Sequence, residues 1–225
     1  MDRYSRNLNS ISHDENLILQ KSRVCVVGCG GLGGHIIEML ARLGIGYITA
    51  VDGDVFETSN LNRQLLSDEL SLGKSKALMA SERMKIVNSD IKVTPVIEFI
   101  NESNAKEILA EHDLIIDALD NIVSRLVLEK VCKNLQIPLV HGAIAGWYGQ
   151  VSSVLPGDDT LSKIYNSDIS KGVEKELGNP SFTPALVASI EVSEAIKILL
   201  NRGEILQNKL LFIDLLNNEF FHMEI

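Results

Sequence analysis

The chain has 225 residues, 45% of them hydrophobic, which is enough to bury the core of one large α/β domain. Thirty acidic residues against 21 basic ones leave a net charge of −9, which disfavours a nucleic-acid surface, since such surfaces carry a clustered basic patch. No apolar run reaches the length of a membrane span, and the opening MDRYSRN is charged where a secretory signal needs an apolar stretch, so a cytoplasmic protein with no membrane partner is expected.

Residues 13–22 have helical spacing and would lead an N-terminal arm, residues 1–22, onto the body. Arg23 to Val27 is a short apolar run, as expected of a parallel strand covered on both faces. It enters Gly28-Cys29-Gly30-Gly31-Leu32-Gly33, in which Gly28, Gly30 and Gly33 satisfy G-x-G-x-x-G. The first glycine permits a tight turn. The second lets the backbone approach a phosphate, and the third lets the next helix pack closely on the strand. That helix carries Ile36, Ile37, Met39, Leu40 and Leu43 on one stripe and ends at Gly44 or Gly46. Its N-terminal amides would point at the phosphates. Tyr47 to Val51 is the second strand, and Asp52 stands at its end, where an acid meets ribose hydroxyls in such folds.

A helix is expected within residues 67–88, with Ala77, Leu78, Ala80, Met84 and Val87 inward, then a strand over residues 92–99. Asn104-x-x-Glu107 reads as a capping box for a helix running to residue 111. Residues 114–119, LIIDAL, form another buried strand with Asp117 inside it. Asp120 then falls at the carboxyl edge, where ligands sit in open parallel sheets. A helix over 121–134, a strand over 139–144 opened by Pro138, a strand over 149–155 and a turn at Pro156-Gly157-Asp158-Asp159 follow. Residues 160–182 are polar and weakly periodic: a crossover or lid, or a plain surface loop. Residues 184–200 form an apolar helix, and residues 210–216 and 219–224 a hairpin around Asn217-Asn218. The whole is one domain over residues 1–225, a Rossmann-like α/β fold. Its sheet is mostly parallel, with helices on both faces and antiparallel strands at the C-terminal end.

After the second strand stand Asp52-Gly53-Asp54, Ser59-Asn60-Leu61-Asn62-Arg63-Gln64 and Gly73-Lys74-Ser75-Lys76. Further marks are Arg3-Tyr4-Ser5-Arg6, the extra Gly31 in the glycine loop, Asp117-Ala118-Leu119-Asp120-Asn121 and Gly149-Gln150-Val151. With these residues the chain resembles, over nearly its whole length, the ThiF/MoeB/HesA family, bacterial relatives of ubiquitin-activating enzymes.

The resemblance implies an adenylyltransferase. Such an enzyme binds ATP with Mg2+ and the C-terminal glycine of a small ubiquitin-like sulfur-carrier protein (ThiS/MoaD-like, ending in Gly-Gly). The carrier's carboxylate attacks the α-phosphate, giving an acyl-adenylate and pyrophosphate in the service of molybdopterin, thiamine or a similar product. Catalytic roles are implied for Arg6, Arg63, Lys76 and Asp120, with Asp120 the Mg2+ ligand and Arg6 reaching the phosphates from the other subunit of a homodimer. Nucleotide contacts are implied for Gly28, Gly30, Gly31, Gly33, Asp52, Asp54, Asn60, Arg63, Gln64, Lys76 and Asn121. The chemistry asks for such groups. Carboxylate attack on ATP brings an anion toward a polyanion, so cations and oriented donors must offset the repulsion.

Two departures stand out. The two C-x-x-C pairs that hold a structural zinc in many members are absent, so no zinc is expected. Residues 171–183 lack the cysteine through which some members pass covalent intermediates, so a separate sulfur donor is expected. Cys25, Cys29 and Cys132 suggest no disulfide framework, as in a reducing compartment. Cys29 reads first as a packing residue, although a helix N-terminus tends to lower a thiol's pKa. Asn121 also reads as an ordinary N-cap, His141 as a structural histidine, and Trp147 and Tyr148 as contacts to the tail or adenine, or as packing.

Other readings stay open. A nicotinamide-dependent oxidoreductase shares the glycine loop and Asp52 but leaves Asn60, Arg63, Gln64 and Lys76 unexplained. A tRNA threonylcarbamoyladenosine dehydratase-like enzyme, or a non-catalytic ATP-binding scaffold, would keep the nucleotide site.

Overall fold

The computed structural model describes residues 2–165 and 177–225, and its eight strands join one sheet. Five are parallel: β1 (Arg23–Val27), β2 (Tyr47–Val51), β3 (Lys92–Val96), β4 (Leu114–Asp117) and β5 (Leu139–Ala145), in the order β3-β2-β1-β4-β5. Beyond β5 the sheet continues as an antiparallel meander of β6 (Tyr148–Val154), β7 (Lys209–Asp214) and β8 (Glu219–Glu224). The alternation of elements accounts for this. Parallel neighbours need a long crossover between them, whereas β5–β6 and β7–β8 are joined by tight turns and must run antiparallel.

The helices are α1 (His13–Leu19), α2 (Gly31–Leu43), α3 (Lys76–Val87), α4 (Ala105–Leu109), α5 (Ile122–Leu135), α6 (Thr160–Ile164) and α7 (Phe182–Leu200). They cover both faces. Along β1, Val24 and Val26 enter one core with Ile36, Ile37 and Leu40 of α2 and Val187 of α7. Cys25 and Val27 point the other way, into a second core with Leu109 of α4, Leu128 of α5 and Leu161 of α6. Both faces of β1 are therefore apolar, which is why its sequence is a continuous apolar run. Truncating a fully buried side chain such as Ile37 to alanine would cost about 2–5 kcal/mol. Among the described residues, no helix is long and apolar enough to cross a membrane.

Several boundaries differ from the sequence expectation. The helix sought within 67–88 begins only at Lys76, because Gly73 takes φ +78° and Ser75 Oγ then caps α3 by accepting the Leu78 N–H. The strand sought over 92–99 stops at Val96, whose carbonyl accepts the Asp52 N–H where the ladder ends. The capping box at Asn104 does not form: its Oδ1 accepts the Asn101 N–H, and the turn is built on Asn101, whose Oδ1 accepts the Ser103 N–H. Of the crossover sought over 160–182, residues 166–176 lie outside the described residues. Thr160–Ile164 form α6, held by the Glu129 carboxylate, which accepts the Leu161 and Ser162 N–H groups.

Helix α7 lies against β5 and β6 and places Glu191 beneath Gly142, where a Cβ would overlap its carboxyl group. Glu191 is fully buried, and neither oxygen has a hydrogen-bond partner. Burial pushes its carboxyl well above the usual range, with the charge of Asp117 adding to the effect. The group is therefore protonated in the folded chain and ionises on unfolding above its ordinary pKa. Its contribution to stability is full below that value and falls as pH rises, by about 1.4 kcal/mol per pH unit. Glu191→Gln is expected to flatten the decline in stability between about pH 5 and about pH 8, read by urea unfolding. An unchanged pH dependence would contradict a protonated Glu191.

Candidate active site

Strand register builds the site. Val27 lies beside Val51 on one side and Asp117 on the other, so Gly28, Asp52 and Ala118 all emerge at the same carboxyl edge. The chain winds from β1 toward β2 and β3, then crosses back to β4 and β5, which opens a crevice between β1 and β4. The glycine loop fills its mouth. Gly28 has φ +102°, and a Cβ there would overlap the Ala118 carbonyl; a Cβ on Gly33 would overlap the Gly28 carbonyl. Gly30 differs: its nearest neighbour is Gln64 Nε2 at 3.5 Å, so its open side faces the crevice. Helix α2 starts at Gly31, and its first turn lines the cavity.

Asp52 ties this loop to the next one. Its Oδ2 accepts the Cys29 N–H at 2.7 Å and its Oδ1 accepts the Asp54 N–H at 2.8 Å. Burial raises its carboxyl pKa, opposed by these two amides and by Lys76. Cys29 is fully buried, with Sγ 3.9 Å from the Val51 carbonyl. Burial first, and the charge of Asp52 second, push its thiol well up. The lowering associated with a helix N-terminus is outweighed, and Cys29 is a packing residue.

The cations come from the segment between β2 and α3. Lys76, the first residue of α3, is buried with Nζ 3.2 Å from Asp54 Oδ2. Lys74 is exposed, which resolves the register between the two lysines. Half-buried Arg63 donates through Nη1 to the Ser59 carbonyl at 3.0 Å and to Asn62 Oδ1 at 2.9 Å. Gln64 lies under Gly30, its buried Oε1 without a hydrogen-bond partner. Asn60, expected to touch the nucleotide, does not line the cavity. It is 7% exposed and holds the turn: Oδ1 accepts the Glu57 N–H at 3.1 Å, and its carbonyl accepts the Arg63 and Gln64 N–H groups.

The loop after β4 completes the cavity, of about 510 Å³. Asp120 is exposed and lines it, and no hydrogen bond or ion pair engages its carboxylate among the described residues. Asn121 also lines it, but its Oδ1 caps α5 by accepting the Ser124 N–H at 2.8 Å, the ordinary role open to it from sequence. Of the other expected residues, Gly28, Gly30, Gly31, Asp52, Asp54, Arg63, Gln64 and Lys76 line this cavity, and Gly33 packs behind it. Arg6 is exposed on the arm and does not line the cavity of its own subunit.

The donor set suits magnesium, a hard cation that takes one or two carboxylates and completes its shell with phosphate and water oxygens. Asp120 offers such a carboxylate, and among the described residues no group of three or more His, Cys, Asp or Glu is placed to hold a metal.

A second cavity, of about 260 Å³ and mostly apolar, adjoins the first and shares Arg125 and Ile144 with it. Tyr148, Gln150, Tyr165 and Phe212 also line it. Trp147 instead packs on Phe182, ring centroids 4.5 Å apart. Behind this cavity lies a polar cluster that sequence reasoning did not assemble. Asp117 is fully buried, with Oδ2 2.7 Å from His141 Nδ1 and 3.6 Å from Arg125 Nε. His141 Nε2 is 2.9 Å from the Tyr165 hydroxyl, to which Gln150 Nε2 donates at 2.5 Å. Burial lowers the imidazole's pKa and keeps it neutral. The spacing held one clue: Arg125 follows the cap residue Asn121 by one helical turn and so returns to the same edge. Tyr165 sits in a polar, weakly periodic stretch that gives no signal.

A family model described as the ThiF family matches residues 4–225. The chain is 36% identical over 225 residues to the SAMP-activating enzyme E1 of Haloferax volcanii, an alignment covering 98% of this chain and 83% of that protein. It is 31% identical over 232 residues to the molybdopterin-synthase adenylyltransferase of Escherichia coli, covering 100% and 92%. In fold it is similar to the crystal structure of E. coli MccB with ATP. The TM-score is 0.85 at 24% identity, over 100% of this chain and 71% of that one.

Proposed function

The chain belongs to the ThiF family, and from that premise we propose that it is an adenylyltransferase: it uses ATP to activate the C-terminal glycine of a small ubiquitin-like sulfur-carrier protein. The observation that carries this reading is the convergence, in one cavity, of Lys76, Arg63, the first turn of α2 and a carboxylate, Asp120, that no side chain among the described residues engages. An oxidoreductase has no use for that set, because hydride transfer develops no charge on a phosphate.

In this reading the triphosphate lies against the amides at the start of α2, where the helix dipole favours an anion. The ribose meets Asp52, and the base faces the wall formed by Val51, Phe99 and Ile100. Lys76 exchanges its Asp54 partner for phosphate oxygens, and Arg63 closes on them from the next turn. Gln64 supports the loop from below. Asp120 would hold magnesium, which would supply charge neutralisation at the phosphates. The carrier's tail enters through the second cavity and presents its terminal carboxylate to the α-phosphate. A carboxylate oxygen bonds to that phosphorus as the bond to the bridging oxygen breaks, and pyrophosphate leaves with its negative charge held by Lys76 and Arg63. Arg6 acts from the second subunit of a homodimer. Sulfur arrives from a separate donor, in a cytoplasmic setting, and the carrier is of the ThiS/MoaD type.

The test is ATP–pyrophosphate exchange with a small protein ending in Gly-Gly that co-purifies with the chain. Label should enter ATP only when that protein is present. Tight ATP binding without exchange, for every such carrier tried, would leave a scaffold; ATP turnover that depends on tRNA would leave the dehydratase reading.

A further inference from the structure

Arg63 is held by one end of its guanidinium. Nη1 donates to the Ser59 carbonyl at 3.0 Å and to Asn62 Oδ1 at 2.9 Å, which engages both of its protons. Among the described residues no partner engages Nε or Nη2. The stem passes Gly31 at the start of α2, and the side chain lines the nucleotide cavity. The planar edge formed by Nε and Nη2 suits a phosphate bidentately. Whatever fixes Nη1 therefore fixes how that edge is presented.

Asn62 uses the other end of its amide on a distant part of the chain: Nδ2 donates to the Asn179 carbonyl at 3.1 Å. Asn179 lines the nucleotide cavity, and Leu177, two residues earlier, lines the second one. The segment between them is tied to the turn joining β5 and β6. The Gly146 N–H donates to the Gly178 carbonyl at 2.7 Å, and the buried Thr183 hydroxyl donates to the Gly146 carbonyl at 2.7 Å. An unbroken line of contacts thus runs from the wall of the second cavity, through Gly178, Asn179 and Asn62, to Arg63.

Stability does not account for Asn62. The residue is exposed, and hydrogen bonds at the surface return little against the cost of ordering a side chain. Its two ends are nonetheless specific, an acceptor toward Arg63 and a donor toward Asn179, a pattern that a carboxamide supplies and a carboxylate does not. The segment it reaches also has contacts still to gain. Asn179 Oδ1 is buried without a hydrogen-bond partner, and Leu177 is 50% exposed.

We propose that Asn62 is a positioning residue: it ties Arg63 to the rim of the second cavity, so that a peptide seated against Leu177 sets the guanidinium edge that receives the phosphates. This rests on the adenylyltransferase reading and adds regulation to it. Nucleotide and peptide each bind more tightly when the other is present, by the same factor, and Asn62 carries that coupling.

The probe is a synthetic hexapeptide ending in Gly-Gly. The affinity of the full chain for an ATP analogue that resists cleavage between the α- and β-phosphates is measured calorimetrically in magnesium, without the peptide and with it at saturation. The wild type is expected to bind the analogue about tenfold more tightly when the peptide is present. Asn62→Leu removes both hydrogen bonds of the side chain and Asn62→Asp only the donor to Asn179. In each the effect of the peptide should fall to about twofold or less, with the urea midpoint unchanged. The readout is a ratio within one variant, so a charge that weakens both measurements alike cancels. Asn62→Gln, which keeps the carboxamide, should restore most of the effect. No effect of the peptide in the wild type, or an undiminished effect in Asn62→Leu and Asn62→Asp, would overturn the proposal. So would a lowered analogue affinity with the ratio intact, the mark of a residue that serves Arg63 alone. Coupling carried by Asn62 without carrier-dependent pyrophosphate exchange would leave this inference standing and remove the catalytic reading. Exchange with undiminished coupling in the variants would do the reverse.

Discussion

Asp120→Ala is expected to abolish ATP–pyrophosphate exchange, lowering it by at least about a thousandfold, while leaving the urea midpoint within experimental reach of wild type. The two halves of this expectation come from the same observation. Asp120 is exposed, and no hydrogen bond or ion pair engages its carboxylate among the described residues, so its removal strands no buried partner there. Among the described residues the group has no visible structural task at the carboxyl edge beside the glycine loop, where a divalent cation would need a carboxylate ligand. Several kcal/mol of charge stabilisation at the phosphates depends on such an anchor, and each 1.4 kcal/mol is about a factor of ten in rate. Wild-type exchange by this variant at saturating magnesium would remove the metal assignment.

Lys76→Met is expected to lower exchange by about a hundredfold to a thousandfold and to leave stability unchanged or slightly raised. Lys76 occupies the first turn of α3, where the helix dipole disfavours a cation. Its side chain is also largely withdrawn from water, which costs further. Its ion-pair partner among the described residues, Asp54, is 56% exposed, so the pair returns little, about 1 kcal/mol or less. Stability does not explain a lysine at this place; a phosphate arriving beside it does. Methionine keeps the packing of the stem and removes the charge, so exchange and urea unfolding should separate cleanly. A loss of stability in step with activity would mean that the lysine serves the fold.

How much of this was legible from sequence follows from the range of the interactions involved. The unit from Arg23 to Asp52 reads directly because each signal is local: an apolar run, glycines at fixed offsets, a helical stripe, a second run. The antiparallel C-terminal end is also legible, since the short turn at Asn217-Asn218 leaves no room for a helical crossover. The errors are of two kinds. Some concern which of two neighbours does a job, as at Asn104, where Asn101 builds the turn. Those choices rest on backbone torsions that residue types alone leave open. The others are long-range. Asp117 and His141 lie 24 residues apart, as do His141 and Tyr165, and strand pairing with one short helix brings them together. At Cys29 the sequence reads first as packing although a helix N-terminus tends to lower a thiol's pKa, and its complete burial decides between the two effects.

The central claim is that this cavity joins AMP to the end of a peptide chain, and intact-mass analysis of the carrier tests it most directly. Incubated with the full chain, ATP and magnesium, a Gly-Gly-terminated carrier should gain the mass of one adenylyl group, and the gain should vanish when pyrophosphate is added or when the terminal glycine is removed. ATP cleaved to ADP and phosphate, with the carrier's mass unaltered throughout, would contradict the account.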